Sequence, residues 1–292
     1  MSLLCYDYIQ GKEASMSNGL RFDTLATLAG ASIPDGTESV VIEQFDLCSA
    51  DSAARYIPVE TNPGHDLSVL NAPGNGWWAV HPDHLSLEAA GAPADISGDC
   101  ASAMQRVLGY LAAATRAKLQ LHERDYVLNS RAALAQSSGD PPLSLTIMGR
   151  GRDASRLLVH YPDNQAGALA LAFADTRSEF VARDFSVIAT GATGPGGDCG
   201  TGIRIGFPES ADTGAAHGAV IANLFVGGED ERPNGAGDSF FSKPIDIAGA
   251  SRPLVSGCRI GAPAGPDAMA GEPGELGPLP GSADATPEGR GL

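Results

Sequence analysis

The chain has 292 residues, 43% of them apolar and 6% aromatic, so it can bury the core of one large domain or of two small ones. Its 35 acidic and 19 basic residues give a formal net charge of −16. This charge argues against nucleic acid as a ligand, because phosphate recognition needs a basic face. It also repels an acidic polymer, except at local basic sites.

Neither a membrane span nor a secretory signal is visible in the sequence. No run of 18 apolar residues occurs, and the first residues lack a basic segment followed by an apolar one. We therefore expect no membrane partner and synthesis in the cytoplasm without a signal peptide. The cysteines are odd in number and widely scattered, which favours reduced thiols: Cys5, Cys48, Cys100, Cys199 and Cys258. No cysteine or histidine spacing is typical of zinc, so we expect no metal and no cofactor.

The first 90 residues divide into two predicted parts. Residues 1–20 are polar and are predicted to form a flexible or docking arm. Residues 21–90 are predicted to form a small α+β attachment module. Within it, residues 22–30 are predicted to be a helix with Asp23 as its N-cap. Residues 55–59 are predicted to be a strand at a sheet edge, because they contain a proline.

Two neighbouring tryptophans, Trp77 and Trp78, follow a glycine-containing turn. They could stack together on a sugar ring. The alternative, which we favour, is that one ring closes the core of the module while the other covers a neighbouring surface. Buried aromatic rings dominate cores and interfaces alike.

The chain then changes character. Residues 101–119 carry apolar side chains at helical spacing and are predicted to form one helix, with Asp99 as its N-cap. Short strands are expected at residues 119–122 and 126–128. Residues 132–140 are predicted to be a loop.

From residue 143 onward, short β-type segments recur at similar intervals. Such self-similarity predicts stacked supersecondary units, and alternating apolar residues between turns make the unit a coil of a β-solenoid. Asp184, Asn223 and Gly257 occupy equivalent repeat positions, which predicts a structural ladder of turn residues at the coil corners. The repeated segments are residues 169–173, 203–207 and 245–249 in one series and residues 184–187, 223–226 and 258–260 in a second.

The order of these motifs resembles that of the tail-spike and pectate-lyase-like proteins of bacteriophages, over roughly residues 21–260. The resemblance is also one in kind to the capsule-binding head spikes of gene transfer agents. It implies an all-β right-handed parallel β-helix over residues 91–260, with one capping helix and the small module in front. The motifs that carry it are the Trp77-Trp78 pair, Gly91-Ala92, Gly98-Asp99, Ala103-Met104-Gln105, Arg124-Asp125-Tyr126 and Ile147-Met148-Gly149-Arg150-Gly151.

The sequence departs from this family in two ways that favour a non-catalytic role. Cys100 and Ala101 stand where the family has paired aspartates. The repeats also stop early, and residues 261–292 are predicted to be a Pro/Gly-rich extended tail. Because the last coil then has no evident cap, we expect another subunit or a further spike or fibre protein to cover it.

The resemblance implies a structural spike or fibre subunit on the surface of a phage or phage-like particle. Capsid or tail attachment proteins and host cell-surface or capsular polysaccharide are the implied partners. The chain is expected to be a homo-oligomer, a trimer or, at a capsid vertex, a pentamer. Two alternatives remain open: a polysaccharide depolymerase, lyase or glycosidase, and a structural adaptor for a further fibre protein.

Candidate site residues follow from these functions. Cleavage of a glycosidic bond by hydrolysis needs two carboxylates, and the weak candidates are Glu229, Asp230, Glu231 and Asp238. A solvated acidic loop is the interpretation we favour for them. Sugar binding without cleavage needs only shallow faces with aromatic, guanidinium and amide groups, and the candidates are Tyr161, Arg177, Arg204 and Asn234.

Overall fold

A computed structural model describes residues 19–43, 53–63, 67–74, 76–160, 167–190, 199–208, 218–228 and 239–261. Most of the ordered elements are β-strands, which confirms the prediction of a fold dominated by β-structure. One continuous cluster of buried apolar side chains runs through the described chain from Leu28 to Phe241. In this part of the chain, neither helix is long and apolar enough to cross a membrane.

A mixed five-stranded sheet forms the N-terminal part, in the order β1-β2-β3-β5-β4. Only β1 and β2 are parallel; the other neighbouring strands are antiparallel. The strands are β1 (Gly19–Phe22), β2 (Ser39–Ile42), β3 (Ala54–Val59), β4 (Ser68–Asn71) and β5 (Gly76–Val80).

Helix α1 (Leu25–Gly30) packs on this sheet and confirms the predicted helix, but its N-cap is Thr24 and not Asp23. Thr24 and Thr27 form a reciprocal capping box, which satisfies two amide groups at once. Asn71 of β4 holds the helix end, since its side-chain amide donates to the carbonyl of Leu28 at 2.7 Å. The threonine pair therefore starts the helix one residue later than the carboxylate of Asp23 predicts.

The prediction of an edge position for residues 55–59 is wrong, because β3 lies in the middle of the sheet. Pro58 is tolerated there for a geometric reason. The pairing of β2 with β3 covers only residues 54–56 of β3, so Pro58 lies beyond the end of β2 and needs no amide on that side. Its other neighbour is Trp78 of β5. Trp78 is a core residue with 6% exposure, while Trp77 is half-buried, in line with the favoured role of one ring in the core.

Three further sheets contain all the remaining strands, and every pairing in them is parallel. The first sheet has the order β19-β16-β13-β10-β7-β6, the second β20-β17-β14-β11-β8 and the third β18-β15-β12-β9. The strands are β6 (Leu85–Ser86), β7 (Arg116–Gln120), β8 (Asp125–Leu128), β9 (Ala132–Ala135), β10 (Ser144–Met148), β11 (Arg156–Val159), β12 (Leu169–Ala172), β13 (Glu179–Arg183), β14 (Ser186–Ala189), β15 (Thr201–Gly206), β16 (Ala219–Ala222), β17 (Phe225–Gly228), β18 (Lys243–Ala248), β19 (Leu254–Ser256) and β20 (Arg259–Ile260).

From β7 onward the chain visits the first, second and third sheets in strict rotation. Each round, called a coil below, adds one strand to each sheet, except that the last round within the described residues adds only β19 and β20 to the first and second sheets. The repeats read from the sequence are confirmed as ladder neighbours. Leu169 pairs with Ile203, and Ile203 pairs with Ile245. In the second sheet, Val187 pairs with Val226.

The corner ladder is also confirmed. Asp184, Asn223 and Gly257 begin two-residue corners between the first and second sheets, with φ of 62°, 53° and 61°. This left-handed conformation is open to glycine and tolerated by Asn and Asp. The Asn223 side-chain amide donates to the Asp184 carboxylate at 2.7 Å.

Helix α2 (Ala101–Leu111) is shorter than predicted, because residues 116–120 belong to strand β7. The residue directly before the helix is Cys100, whose side chain makes no capping bond. Asp99 supplies the cap from one position earlier, since its carboxylate accepts from the amide of Ala101 at 2.9 Å. It also accepts from the amide of Asn129 at 3.1 Å, which ties the helix start to the end of β8.

The prediction of a loop at residues 132–140 is wrong for its first four residues, which form β9. This strand is the edge of the third sheet, and a side chain takes the place of its missing neighbour. The Gln105 amide donates to the Ala133 carbonyl and accepts from the Ala133 amide, both at 2.9 Å. Helix α2 thus packs against β9, the edge strand of the third sheet.

A buried carboxylate lies where the N-terminal part meets the coils. Glu88 Oε1 accepts from the Tyr126 hydroxyl at 2.8 Å, with Arg124 Nη1 at 4.0 Å. Its Oε2 lies 3.8 Å from His122 Nε2 and has no hydrogen-bond partner among the described residues. Burial and the neighbouring Glu88 raise the pKa of Tyr126, so its hydroxyl stays protonated and serves as the donor.

Replacing Asn223 tests the corner ladder. Asn223→Ala places an ordinary side chain in the left-handed region and removes the bond to Asp184, so we expect a loss of about 2 kcal/mol in unfolding free energy. Asn223→Gly removes only the bond and is expected to cost about 1 kcal/mol. Urea unfolding of both variants measures the difference. An equal or larger loss for Asn223→Gly would contradict the proposed backbone requirement.

Replacing Tyr126 tests the buried carboxylate. Tyr126→Phe takes the donor from Glu88 and the acceptor from the His122 amide, which lies 2.8 Å from the hydroxyl. Because a hydrogen bond to a charged group is strong, we expect a loss of about 2–3 kcal/mol in thermal or urea unfolding. The control is Tyr110→Phe, whose hydroxyl donates to the neutral Val80 carbonyl and is expected to be worth about 1 kcal/mol. The strong bond to Glu88 is disproved if the control is the more destabilised variant.

Candidate functional site

Six of the eight residues predicted to act in catalysis or sugar binding lie outside the described residues. These are Glu229, Asp230, Glu231, Asp238, Tyr161 and Asn234. The structure therefore describes only Arg177 and Arg204 from that set.

Arg177 and Arg204 each have an acidic partner of their own and lie on different elements. Arg177 lies in the turn between β12 and β13, and its guanidinium binds Asp175 through two contacts of 3.0 and 2.8 Å. This pairing lowers the pKa of Asp175 to about 2. Arg204 lies on β15 with its Nε 3.6 Å from Asp246 Oδ2 of β18. The structure does not join the two arginines into one site.

Two carboxylates near the coil corners accept hydrogen bonds from side chains of the next coil. Asp125 receives both Nε and Nη2 of Arg156, each at 2.6 Å. Asp184 accepts from Asn223 in the corner ladder. Among the described residues, no group of three or more metal-ligating side chains occurs. Cys100 and Cys258 are thiols.

A cavity lined mainly by polar side chains lies on the outward face of the first sheet. Side chains alternate along β7, so Ala117 and Leu119 face the core while Arg116 and Lys118 face outward. The register of β10 places Ser144 beside Arg116 and Thr146 beside Lys118. Two cations and two hydroxyls therefore share one small patch of sheet surface.

The turn Pro82–His84, just before β6, forms the wall of this cavity. It begins at His81, whose Nδ1 accepts from the Asp83 amide at 3.1 Å. Arg116 Nε lies 3.8 Å from Asp83 Oδ1. We call this cavity, of about 410 Å³, the basic pocket; it is lined by Asp83, His84, Arg116, Ala117, Lys118, Ser144 and Thr146.

The charges that act on His84 are mostly positive. The pKa of His84 is lowered, chiefly by desolvation where its ring packs against the protein, and then because His81 and Arg55 repel a further positive charge. Lys118 adds to this repulsion, and only Asp83 opposes it. A negative charge bound here would relieve the repulsion. The pocket is therefore suited to an anion.

A larger cavity, of about 890 Å³, lies between the N-terminal sheet and the end of α2. Its lining includes the apolar side chains of Ile57 and Leu67. The Arg106 guanidinium at this cavity donates to the carbonyl of Ala90, so its charge is engaged in holding the backbone. Arg116 borders both this cavity and the basic pocket.

The basic pocket is absent from the sequence-based expectations because the predicted helix extends to residue 119. On a helix, residues two apart face different directions, whereas on a strand they face the same way. The sequence did contain a signal for this strand. Polar and apolar residues alternate over Arg116, Ala117, Lys118 and Leu119, which is the period of a strand with one face buried.

No protein-family model matches this chain, and no curated protein matches it significantly.

The charge of Lys118 should be visible in the titration of His84. Lys118→Gln removes one of the repelling charges, so we expect the pKa of His84 to rise towards its ordinary value. Histidine C–H signals in a proton NMR titration measure the shift, with His84→Gln identifying the signal. Lys243→Gln on β18 removes the same charge elsewhere and should leave His84 unchanged. An unchanged His84 in Lys118→Gln would show that the lysine does not face the ring.

Proposed function

We propose that the three parallel sheets form a right-handed parallel β-helix of the pectate-lyase-like type. The support is the strict rotation of the chain through the three sheets, one strand per sheet in each coil. Parallel crossover connections within a sheet are almost always right-handed. Such a fold presents flat outward faces on which neighbouring coils place side chains in register.

We propose that the protein is a structural spike or fibre subunit of a phage or phage-like particle. In this proposal the N-terminal part attaches to capsid or tail proteins, and the coils contact host cell-surface or capsular polysaccharide as a homo-oligomer. The observation that carries the polysaccharide contact is the basic pocket. It combines hydroxyl and cationic side chains on the outward face of a sheet, which is the surface an extended polymer can follow.

The open shape of the basic pocket favours a polymer lying along the sheet surface over a ligand held in an enclosed site. Arg116, which lines the pocket, is 81% exposed as a side chain, and the neighbouring outward positions continue along the sheet to Glu179 and Val181. Sugar units could therefore lie across β7, β10 and β13 without entering a closed cavity. An open face of this kind holds a polymer at several points, and several weak contacts add to a firm attachment.

The test is to incubate the purified protein with capsular polysaccharide from candidate host cells and to measure binding and chain length in one experiment. Cosedimentation gives binding, and size-exclusion chromatography gives the length of the polysaccharide. We expect binding with unchanged chain length. The absence of binding to every candidate polysaccharide would overturn the proposed attachment.

Shortened chains would instead favour the depolymerase. The residues to replace first would then be Glu229, Asp230, Glu231 and Asp238, because hydrolysis of a glycosidic bond uses a pair of carboxyl groups.

A second candidate function is an adaptor for a further fibre protein, and one observation favours it. β18, β19 and β20 are the last strands of their sheets, with no strand beyond them among the described residues. They expose Leu254 by 54%, Val255 by 47% and Ile260 by 56%. Exposed apolar edge strands are templates for further pairing. An adaptor would bind a second fibre protein through this edge and would show no affinity for polysaccharide.

A further inference from the structure

We propose that the basic pocket binds the acid group of an anionic sugar, through Arg116 and Lys118 on β7 and the hydroxyls of Ser144 and Thr146 on β10. The proposal rests on the proposed polysaccharide contact and names the class of sugar. Carboxylate and sulfate share the chemistry involved, which is a compact negative charge on several oxygens. The probes described below distinguish the two.

The arrangement of donors fits such a group. Arg116 and Lys118 are two residues apart on one strand, so their side chains leave the sheet on the same face, roughly 7 Å apart at the backbone. Arginine offers a planar pair of donors to an oxyanion, and lysine offers a mobile point charge. Ser144 and Thr146 stand beside them in register and can donate to or accept from the neighbouring hydroxyls of a sugar ring.

The negative charge of the whole chain limits the places where an acidic polymer can bind. At a net charge of −16, the protein as a whole repels an acidic polymer, and attraction is confined to places that group cations together. The basic pocket places Arg116 and Lys118 side by side, with Asp83 in its wall. Glu179 lies at its edge, where it accepts from the Ser144 hydroxyl at 3.4 Å. An acidic polymer would therefore be directed to the outward face of β7 and β10.

Proton uptake is coupled to this binding through His84. In the free protein, burial and the charges of His81, Arg55 and Lys118 lower the pKa of His84, and Asp83 alone raises it. Arg116 on β7 also borders the pocket and stays cationic. A bound anion favours the protonated imidazole, so the pKa of His84 is higher in the complex than in the free protein. Affinity therefore rises as the pH falls from about 8 towards about 5.5.

Two matched pairs of probes test the charge requirement by isothermal titration calorimetry. Oligogalacturonate carries carboxylates, and its fully methyl-esterified form is neutral; dextran sulfate and dextran form the sulfate pair. We expect the full chain to bind at least one charged probe about tenfold more tightly than its neutral counterpart. The charged probe that binds identifies carboxylate or sulfate.

Two double variants locate the binding. Arg116→Gln with Lys118→Gln should weaken the charged probe at least about tenfold, because two charge-assisted contacts are lost. Lys243→Gln with Arg252→Gln removes two exposed positive charges from the last coil and should change affinity less than about twofold. Equal losses in both double variants would show attraction by net charge alone and would overturn the proposed site.

The pH dependence adds a readout that a general loss of structure would not produce. His84→Gln should lose the gain in affinity that the unaltered protein shows between about pH 8 and about pH 5.5, whatever its affinity at pH 8. A persistent gain in His84→Gln would assign the proton uptake to another group and overturn the coupling.

If host capsular polysaccharide binds while both charged probes fail, the acidic-sugar assignment falls and the proposed attachment stands. If neither the capsular polysaccharide nor any charged probe binds, the acidic-sugar assignment and the proposed attachment are both overturned.

Discussion

The parallel backbone ladders between successive coils are the interaction on which the rest of the structure depends. Each strand in such a ladder needs a neighbour on both sides, and a buried amide or carbonyl without a partner costs as much as a lost hydrogen bond. At the first coil, each of the three sheets finds a different partner. β6 pairs with β7, the Asp99 and Cys100 segment bonds to Val127 of β8, and the Gln105 side chain bonds to Ala133 of β9. The N-terminal part and α2 are thus the groups that let the ladders begin.

The corners keep the ladders in register. A shift of one residue would turn every inward side chain outward, so each coil must turn at the same position. Asp184, Asn223 and Gly257 provide this turn through one backbone conformation, and the amides of Asp184 and Asn223 continue the ladder into the next coil. The basic pocket depends on the same register, because Arg116 meets Ser144 and Lys118 meets Thr146 only in the observed alignment.

The features that sequence could predict are those that repeat. The pairing of Leu169, Ile203 and Ile245 follows from matching segments, and the corner ladder follows from turn residues at equivalent positions. Strand β9 was predicted to be a loop, although its alanine and leucine residues match those of β12, which the repeats did predict. Its conformation is imposed by the neighbouring strand β12 and by Gln105. Strand β7 was also missed. Its alternating pattern follows directly on an amphipathic helix, and the predicted helix was extended over it.

The basic pocket and β19, one of the last strands, lie towards opposite ends of the first sheet. The pocket lies on β7 and β10, against the Pro82–His84 turn. Ser144 of β10 is held by ladders on both sides, to Arg116 of β7 and to Glu179 of β13, which limits the entropy lost when a ligand binds there. The last strands have neighbours on one side only among the described residues, and they expose apolar side chains. In the proposed function, this division assigns the polymer to the covered strands and leaves the open strands for assembly with another protein.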